Sequence, residues 1–151
     1  MAYRFRFDAL LNIRTRRLEL AESELGRILR EVFQAKEEYA SLSKSIKEVI
    51  DTVDSRLAEG MSASEYQHST GFLERLKSER DRLLKEIASL EKKADDARKK
   101  VRRCLMEKEI VERLKEKDYR KYLEKQKRIE QKEADEISSQ RYGRRTHGLA
   151  Y

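Results

Sequence analysis

The sequence predicts an all-α fold: one long antiparallel two-helix coiled-coil hairpin, residues 1–151, with the second helix overhanging the first. Three observations carry this. Two seven-residue combs of apolar side chains mesh at a single register. Proline is absent from all 151 residues. A turn with its own capping signals lies at the centre of that register. A 3-4 apolar spacing sustained over many turns is the seam of a left-handed coiled coil. Proline costs about 3 kcal/mol inside a helix, so a chain without it can run long helices unbroken.

The first helix is expected over residues 8–58, about 50 residues or roughly 75 Å long. Its comb reads Leu11, Leu18, Leu25, Val32, Tyr39, Ile46 and Val53, with companions three residues on at Ala21, Ile28, Ala35, Leu42 and Val49. Asp8 is the residue type that caps a helix start. The turn falls at 59–62, Glu59-Gly60-Met61-Ser62. Gly60 suits the left-handed conformation that closes a helix. Ser62-Ala63-Ser64-Glu65 reads as a capping box, with Met61 and Tyr66 in the staple positions on either side.

The second helix is expected over 62–141, about 80 residues or roughly 120 Å. Its comb reads Leu73, Ile87, Ala94 and Val101, with Leu76, Leu83, Leu90, Ala97, Cys104 and Val111 as companions. Folding the chain back at the turn sets Leu11 opposite Val111. The same register pairs Leu18 with Cys104, Leu25 with Ala97, Val32 with Leu90, Ala35 with Ile87 and Val49 with Leu73. Small residues repeatedly meet larger ones, as interdigitating layers require. Phe7 falls near Lys115 and Arg4 near Asp118. From about Asp118 onward the second helix has no expected partner, an overhang of roughly 35 Å. The tail 142–151, opening with Tyr142-Gly143-Arg144-Arg145, is expected to be flexible.

Composition narrows the function class. Charged residues make up 43% of the chain and hydrophobic residues 38%. Apolar residues confined to one stripe build a seam, not a broad core. A concave catalytic pocket needs walls several elements thick, so the pattern argues against an enzyme and offers no catalytic group. His68 and His147 are the only histidines and have no ligand-spaced companion, so neither a metal site nor a cofactor site is expected. Cys104 occupies a seam position and reads as a small apolar residue. No run approaches the roughly 20 apolar residues that span a bilayer, and a lone cysteine agrees with a cytoplasmic compartment.

The net charge of +7 suggests an acidic partner surface, nucleic acid or an anionic membrane face. Thirty-six basic and 29 acidic residues are interleaved, however, as on a solvated coiled-coil exterior. Arg98-Lys99-Lys100-Val101-Arg102-Arg103 is the densest basic cluster, but acidic residues return at Glu107, Glu109 and Glu112 and no docking motif follows. A nucleic-acid-binding basic hairpin is therefore the weaker alternative, beside a generic structural spacer.

Two irregularities in the seam bear on function. Arg14 is expected to face Lys108, a like-charged layer, while Arg80 faces Leu42 and Arg56 faces Tyr66. Long basic side chains can snorkel out of a seam; equally, such a layer can loosen the hairpin where partners grip it. Leu29, Phe33, Ile50, Phe72 and Leu84 lie beside the seam. Phe33 and Phe72 are hardest to hide and are expected to form partner surface.

Several segments together resemble the FliJ family, small coiled-coil proteins of the flagellar type III export apparatus. The opening Phe5-Arg6-Phe7-Asp8-Ala9-Leu10-Leu11 with Arg14 and Arg17 is similar to the family's start. Gly60 and Phe72-Leu73-Glu74-Arg75-Leu76 resemble its hairpin tip. Glu130-Gln131-Lys132, Asp135-Glu136 and Gln140-Arg141 resemble its closing stretch.

The resemblance implies a non-enzymatic stalk in flagellum biogenesis, motility and chemotaxis. The stalk would insert its terminal end into a hexameric export ATPase ring and regulate it. It would also contact the cytoplasmic domain of the export gate and the export chaperones. Its location would be cytoplasmic, peripheral at the cytoplasmic face of the inner membrane. For gate contact the resemblance points to Leu42, Phe72 and Leu76 in the tip half, with Ser45 and Val49 replacing aromatic residues of that surface. For the ATPase ring the open end offers Phe7, Arg14, Tyr119, Arg120, Lys121, Tyr122, Lys125, Lys127 and Arg128.

Overall fold

The structure is a computed structural model that describes residues 2–149, with side chains through Arg145. Helix α1 runs Asp8–Glu59 and helix α2 runs Ala63–Leu149, with no strand among the described residues. They form the antiparallel two-helix hairpin expected from the combs. Contacts group the chain into two compact units. One holds residues 17–104, including the turn; the other holds 1–16 and 105–151.

In the turn unit, the seam side chains pack at the meshed register. Ile28, Val32, Ala94 and Ala97 form one buried cluster, joined by Leu25 and Leu90. Ala35, Leu83 and Ile87 form the next, with Tyr39 and again Leu90 packed against it. These are the partners that the constant register assigns. Alternation of small and large residues allows two helices to close with a single layer of burial. Ion pairs flank the seam: Lys36 meets Glu91 at 2.9 Å, and Lys100 lies 3.8 Å from Glu24. All four groups are substantially exposed, so these pairs contribute little stability and mainly bias the register.

The turn closes as its residues dictate. Gly60 has φ of 103°, a left-handed conformation that glycine adopts without a side-chain penalty. The Glu65 amide donates to Ser62 Oγ at 3.2 Å, satisfying one orphan donor of α2. Tyr66 N–H donates to the Ser62 carbonyl at 3.0 Å. The return bond expected from the Glu65 side chain is absent among the described residues.

The second unit corrects three local expectations. Asp8 is not the cap of α1. The Leu11 amide donates to the Phe7 carbonyl at 3.0 Å, while the Asp8 carboxylate accepts from Lys115 Nζ at 3.2 Å. A lysine across the fold competes for the oxygen that would otherwise bond the local backbone. Asp8 still sits in the first turn, where a negative charge favours the helix dipole.

The second correction concerns what meets α2. Residues 2–7 are not helical, so the helical register does not extend to them. The Tyr3 hydroxyl, rather than Arg4, reaches Asp118, and the Asp8 carboxylate pairs with Lys115. Phe5 is buried at 4% exposure in this unit, as is Val111 at 2%.

The third correction is the end of α2. The helix was expected to stop near Arg141 before a flexible tail, but it continues through Gly143 to Leu149. Gly143 does not take a positive φ. A glycine costs only about 1 kcal/mol in a helix interior and, with no proline beside it, does not terminate one. Ala150 and Tyr151 lie outside the described residues.

Candidate interaction sites

The gate-contact residues expected from sequence come together. Leu42 on α1 and Phe72 and Leu76 on α2 line one concavity of about 510 Å³ near the turn. Ser45, Glu48, Val49, Thr52, Val53 and Arg56 complete its α1 wall. Leu42 and Leu76 are half-buried, as seam positions require, while Phe72 remains 44% exposed. The Arg75 guanidinium lies 5.9 Å from the centre of the Phe72 ring. That cation–π contact holds the ring on the helix surface without burying it. Ser45 and Val49 are small, and their size opens the concavity. A partner aromatic or leucine side chain can enter it and meet Phe72 at the rim.

Phe33 is even more exposed, at 65%. Arg80 is half-buried in the seam and turns its guanidinium to Asp81 at 3.6 Å. Its long side chain thus leaves the apolar layer, the snorkelling expected of it.

Residues of the other candidate site lie in the unit formed by 1–16 and 105–151. Arg14 does not oppose Lys108 as a bare like-charged layer. Its Nη1 donates to the Glu107 carbonyl at 2.7 Å, and Lys108 Nζ pairs with Glu112 at 3.4 Å. Each cation finds its own oxygen, which removes most of the expected repulsion.

Tyr119 and Tyr122 are not free, as an overhang beginning at Asp118 would have left them. Tyr3 packs its ring 5.0 Å from Tyr119 and 5.2 Å from Tyr122, and those two rings lie 6.3 Å apart. The Tyr3 hydroxyl donates to Asp118 Oδ2 at 3.0 Å and lies 3.4 Å from the Lys115 carbonyl. Partial burial among these rings, and then the neighbouring Asp118 carboxylate, push the Tyr3 phenol above its ordinary value. Phe7 is exposed, edge-on to Phe5 at 5.8 Å, with the Arg6 guanidinium 5.5 Å from its ring centre.

Beyond this cluster α2 is almost wholly exposed from Leu123 to Arg145. Arg120 pairs with Glu116 at 2.6 Å. Among the described residues Lys121, Lys125, Lys127 and Arg128 make no ion pair, so their charge is available to a partner. Sequence reasoning missed Tyr3 and Phe5 as anchors, because they precede the helix and carry no period. Their aromatic spacing with Phe7 was the available signal.

The family model for the flagellar FliJ protein matches residues 3–147. The chain belongs to the FliJ family. Membership brings a role connected with flagellar export. The match takes in both helices, the concavity near the turn, the tyrosine cluster and the exposed basic segment of this FliJ-family chain. No curated protein and no solved structure gave a significant match. Among the described residues no helix is long and apolar enough to cross a membrane.

Proposed function

We propose that this FliJ-family protein is a non-enzymatic stalk that couples a hexameric flagellar export ATPase to the export gate. The observation carrying the proposal is the exposed segment of α2 beyond Tyr122, a helix about 10–12 Å wide with side chains. A rod of that width enters the central channel of a ring. Lys125, Lys127 and Arg128, with Arg120 and Lys121 a turn or two before them, face acidic walls there. Tyr119, Tyr122, Phe7 and Arg14 form the collar at which insertion ends. The concavity of Leu42, Phe72 and Leu76 receives the cytoplasmic domain of the gate, and the same stalk serves export chaperones. Its location is then cytoplasmic, held at the inner membrane through the export apparatus.

ATP hydrolysis by the purified ring tests the ring contact, using the full chain and a chain ending at Leu123. The shorter chain keeps Tyr119 and Tyr122 against Tyr3, so its fold is retained. Stimulation is expected from the full chain alone and should weaken as salt rises, since the contact is between charges. Equal stimulation by both would move the active surface to the region of Phe7, Leu11 and Val111.

A further inference from the structure

The unit formed by 1–16 and 105–151 carries an apolar face that neither the seam nor the proposed ring contact uses, although its charged end shares Lys121 with that contact. With Leu11 at heptad position a of α1 and Val111 at d of α2, Leu10 and Leu114 are both g residues. Ile13 and Ile110 are both c residues. In an antiparallel pair, g positions meet on one flank of the seam and e positions on the other. The turn unit displays both pairings: Glu24 with Lys100 at g, and Lys36 with Glu91 at e. Leu10 and Leu114 therefore adjoin across the g flank, with Ile13 and Ile110 beside them on the outer side. All four are exposed, Ile13 at 52% and Ile110 at 61%, and Met106 continues the face one turn from Ile110. Asp8, Glu112 and Tyr119 fall at e, so the tyrosine cluster occupies the opposite flank.

Charge on this flank is one-sided. One heptad on from Ile110 and Leu114, the same c and g positions hold Lys117 and Lys121, and Arg113 lies between them and Met106. All three are exposed and make no ion pair among the described residues. Glu107 and, a heptad beyond Lys117, Glu124 are the acidic exceptions. We propose that this two-helix face docks an acidic amphipathic helix of a protein partner. Its apolar residues would lie across Leu10, Ile13, Ile110 and Leu114, and its carboxylates a heptad on would meet Lys117 and Lys121.

Size and charge choose this occupant over a second copy. Leu10, Ile13, Ile110, Leu114 and Met106 make a small face, whereas a stable complex buries about 800 Å² on each partner. Two-fold pairing of the face with itself also sets lysines against lysines or against the stretch 103–107, whose one carboxylate is Glu107. A single acidic helix avoids the charge penalty, and so small a face suits a transient contact.

The test uses the full-length protein and a fluorescein-labelled synthetic 18-residue helical peptide. The peptide carries leucines at i, i+3 and i+7 and four glutamates in the following heptad. Fluorescence anisotropy is expected to give micromolar binding. It should weaken at least tenfold in Ile110→Gln/Leu114→Gln and in Lys117→Glu/Lys121→Glu. A peptide with lysines in place of the glutamates is expected not to bind. Melting by circular dichroism should be unchanged; if the glutamine pair melts early, Ile13→Gln on the other helix replaces it. Binding indifferent to these substitutions, or equal for the two peptides, overturns the proposal. So does a dimer in sedimentation velocity that Ile110→Gln disperses, which assigns the face to a second copy. Binding to phosphatidylglycerol vesicles without binding to the acidic peptide assigns it to a membrane and overturns the proposal likewise.

Discussion

Tyr3 and Asp118 are joined by a 3.0 Å hydrogen bond from phenol to carboxylate, more than a hundred residues apart in sequence. This bond fastens the non-helical N-terminal segment to α2 and decides where paired helix ends and exposed helix begins. Without it Tyr119 and Tyr122 would lose the ring packed against them. The raised Tyr3 phenol gives the docking a pH dependence. A group whose folded value is raised holds its proton more tightly when folded. Its contribution is complete below the ordinary value near 10.0 and is lost as pH rises through the folded value. The ring resonances of Tyr3 are expected to titrate above the ordinary tyrosine value near 10.0, and Asp118→Asn should lower the Tyr3 midpoint. An unchanged midpoint would mean that Asp118 is not the controlling carboxylate.

The register admits a covalent check. Ile28 and Ala94 share a buried cluster in the turn unit. Cysteines at those positions, with Cys104→Ala, should close a disulfide within one molecule, since facing seam positions bring Cα atoms near the required distance of about 5.5 Å. Cysteines at Ile28 and Val101 lie one heptad out of register and should stay reduced. Electrophoresis after mild oxidation distinguishes them, and the opposite preference would displace the whole seam by two turns.

Phe72 should separate binding from folding. Its ring is half-exposed, so Phe72→Ala is expected to leave the melting temperature within a few degrees of the parent. Ile87→Ala, at a buried seam position, should cost about 2–5 kcal/mol. If the concavity near the turn takes up a gate residue, Phe72→Ala should weaken that complex by about 2 kcal/mol, roughly thirtyfold. Calorimetric titration with the gate's cytoplasmic domain reads this. Early melting of the variant would place Phe72 in the core instead.

What the chain reveals before folding depends on whether the signal repeats. The seam is legible because each layer restates the same register, so Leu25, Ile28, Val32 and Ala35 find Ala97, Ala94, Leu90 and Ile87 without any other information. Gly60 and Ser62 are legible because cap chemistry is local. Tyr3 and Phe5 are not, since a non-helical segment has no period to extrapolate and its partners lie across the fold. Asp8 misleads for a related reason: its residue type fits a cap, but Lys115 takes its carboxylate. Gly143 misleads in the other direction, because glycine weakens a helix without obliging it to end. Leu42, Phe72 and Leu76 are singled out by family likeness, and the concavity that they line is visible only in the fold; periodicity alone assigns two of the three to the seam.

Arg14 offers the last prediction, because it occupies a seam position that apolar side chains fill elsewhere. The guanidinium reaches the Glu107 carbonyl at 2.7 Å, a charge-assisted bond worth about 1.5–3 kcal/mol. Against it stand the loss of an apolar layer, worth about 1.5–3 kcal/mol for a buried leucine, and the nearby Lys108 charge. The carbonyl retains its place in the α2 backbone when the guanidinium is removed, so no buried group is left without a partner. Arg14→Leu is therefore expected to raise the melting temperature by a few degrees, whereas Arg14→Ala, which removes the bond and fills nothing, should lower it. If Arg14 belongs to the collar proposed to grip the ATPase ring, the leucine variant should stimulate hydrolysis less while being more stable. A residue kept against the preference of its seam would then be explained by function. Thermal denaturation by circular dichroism and ATP hydrolysis, measured on the same two variants, decide it. A leucine variant that is both less stable and fully active would make Arg14 a structural clamp and remove it from the collar.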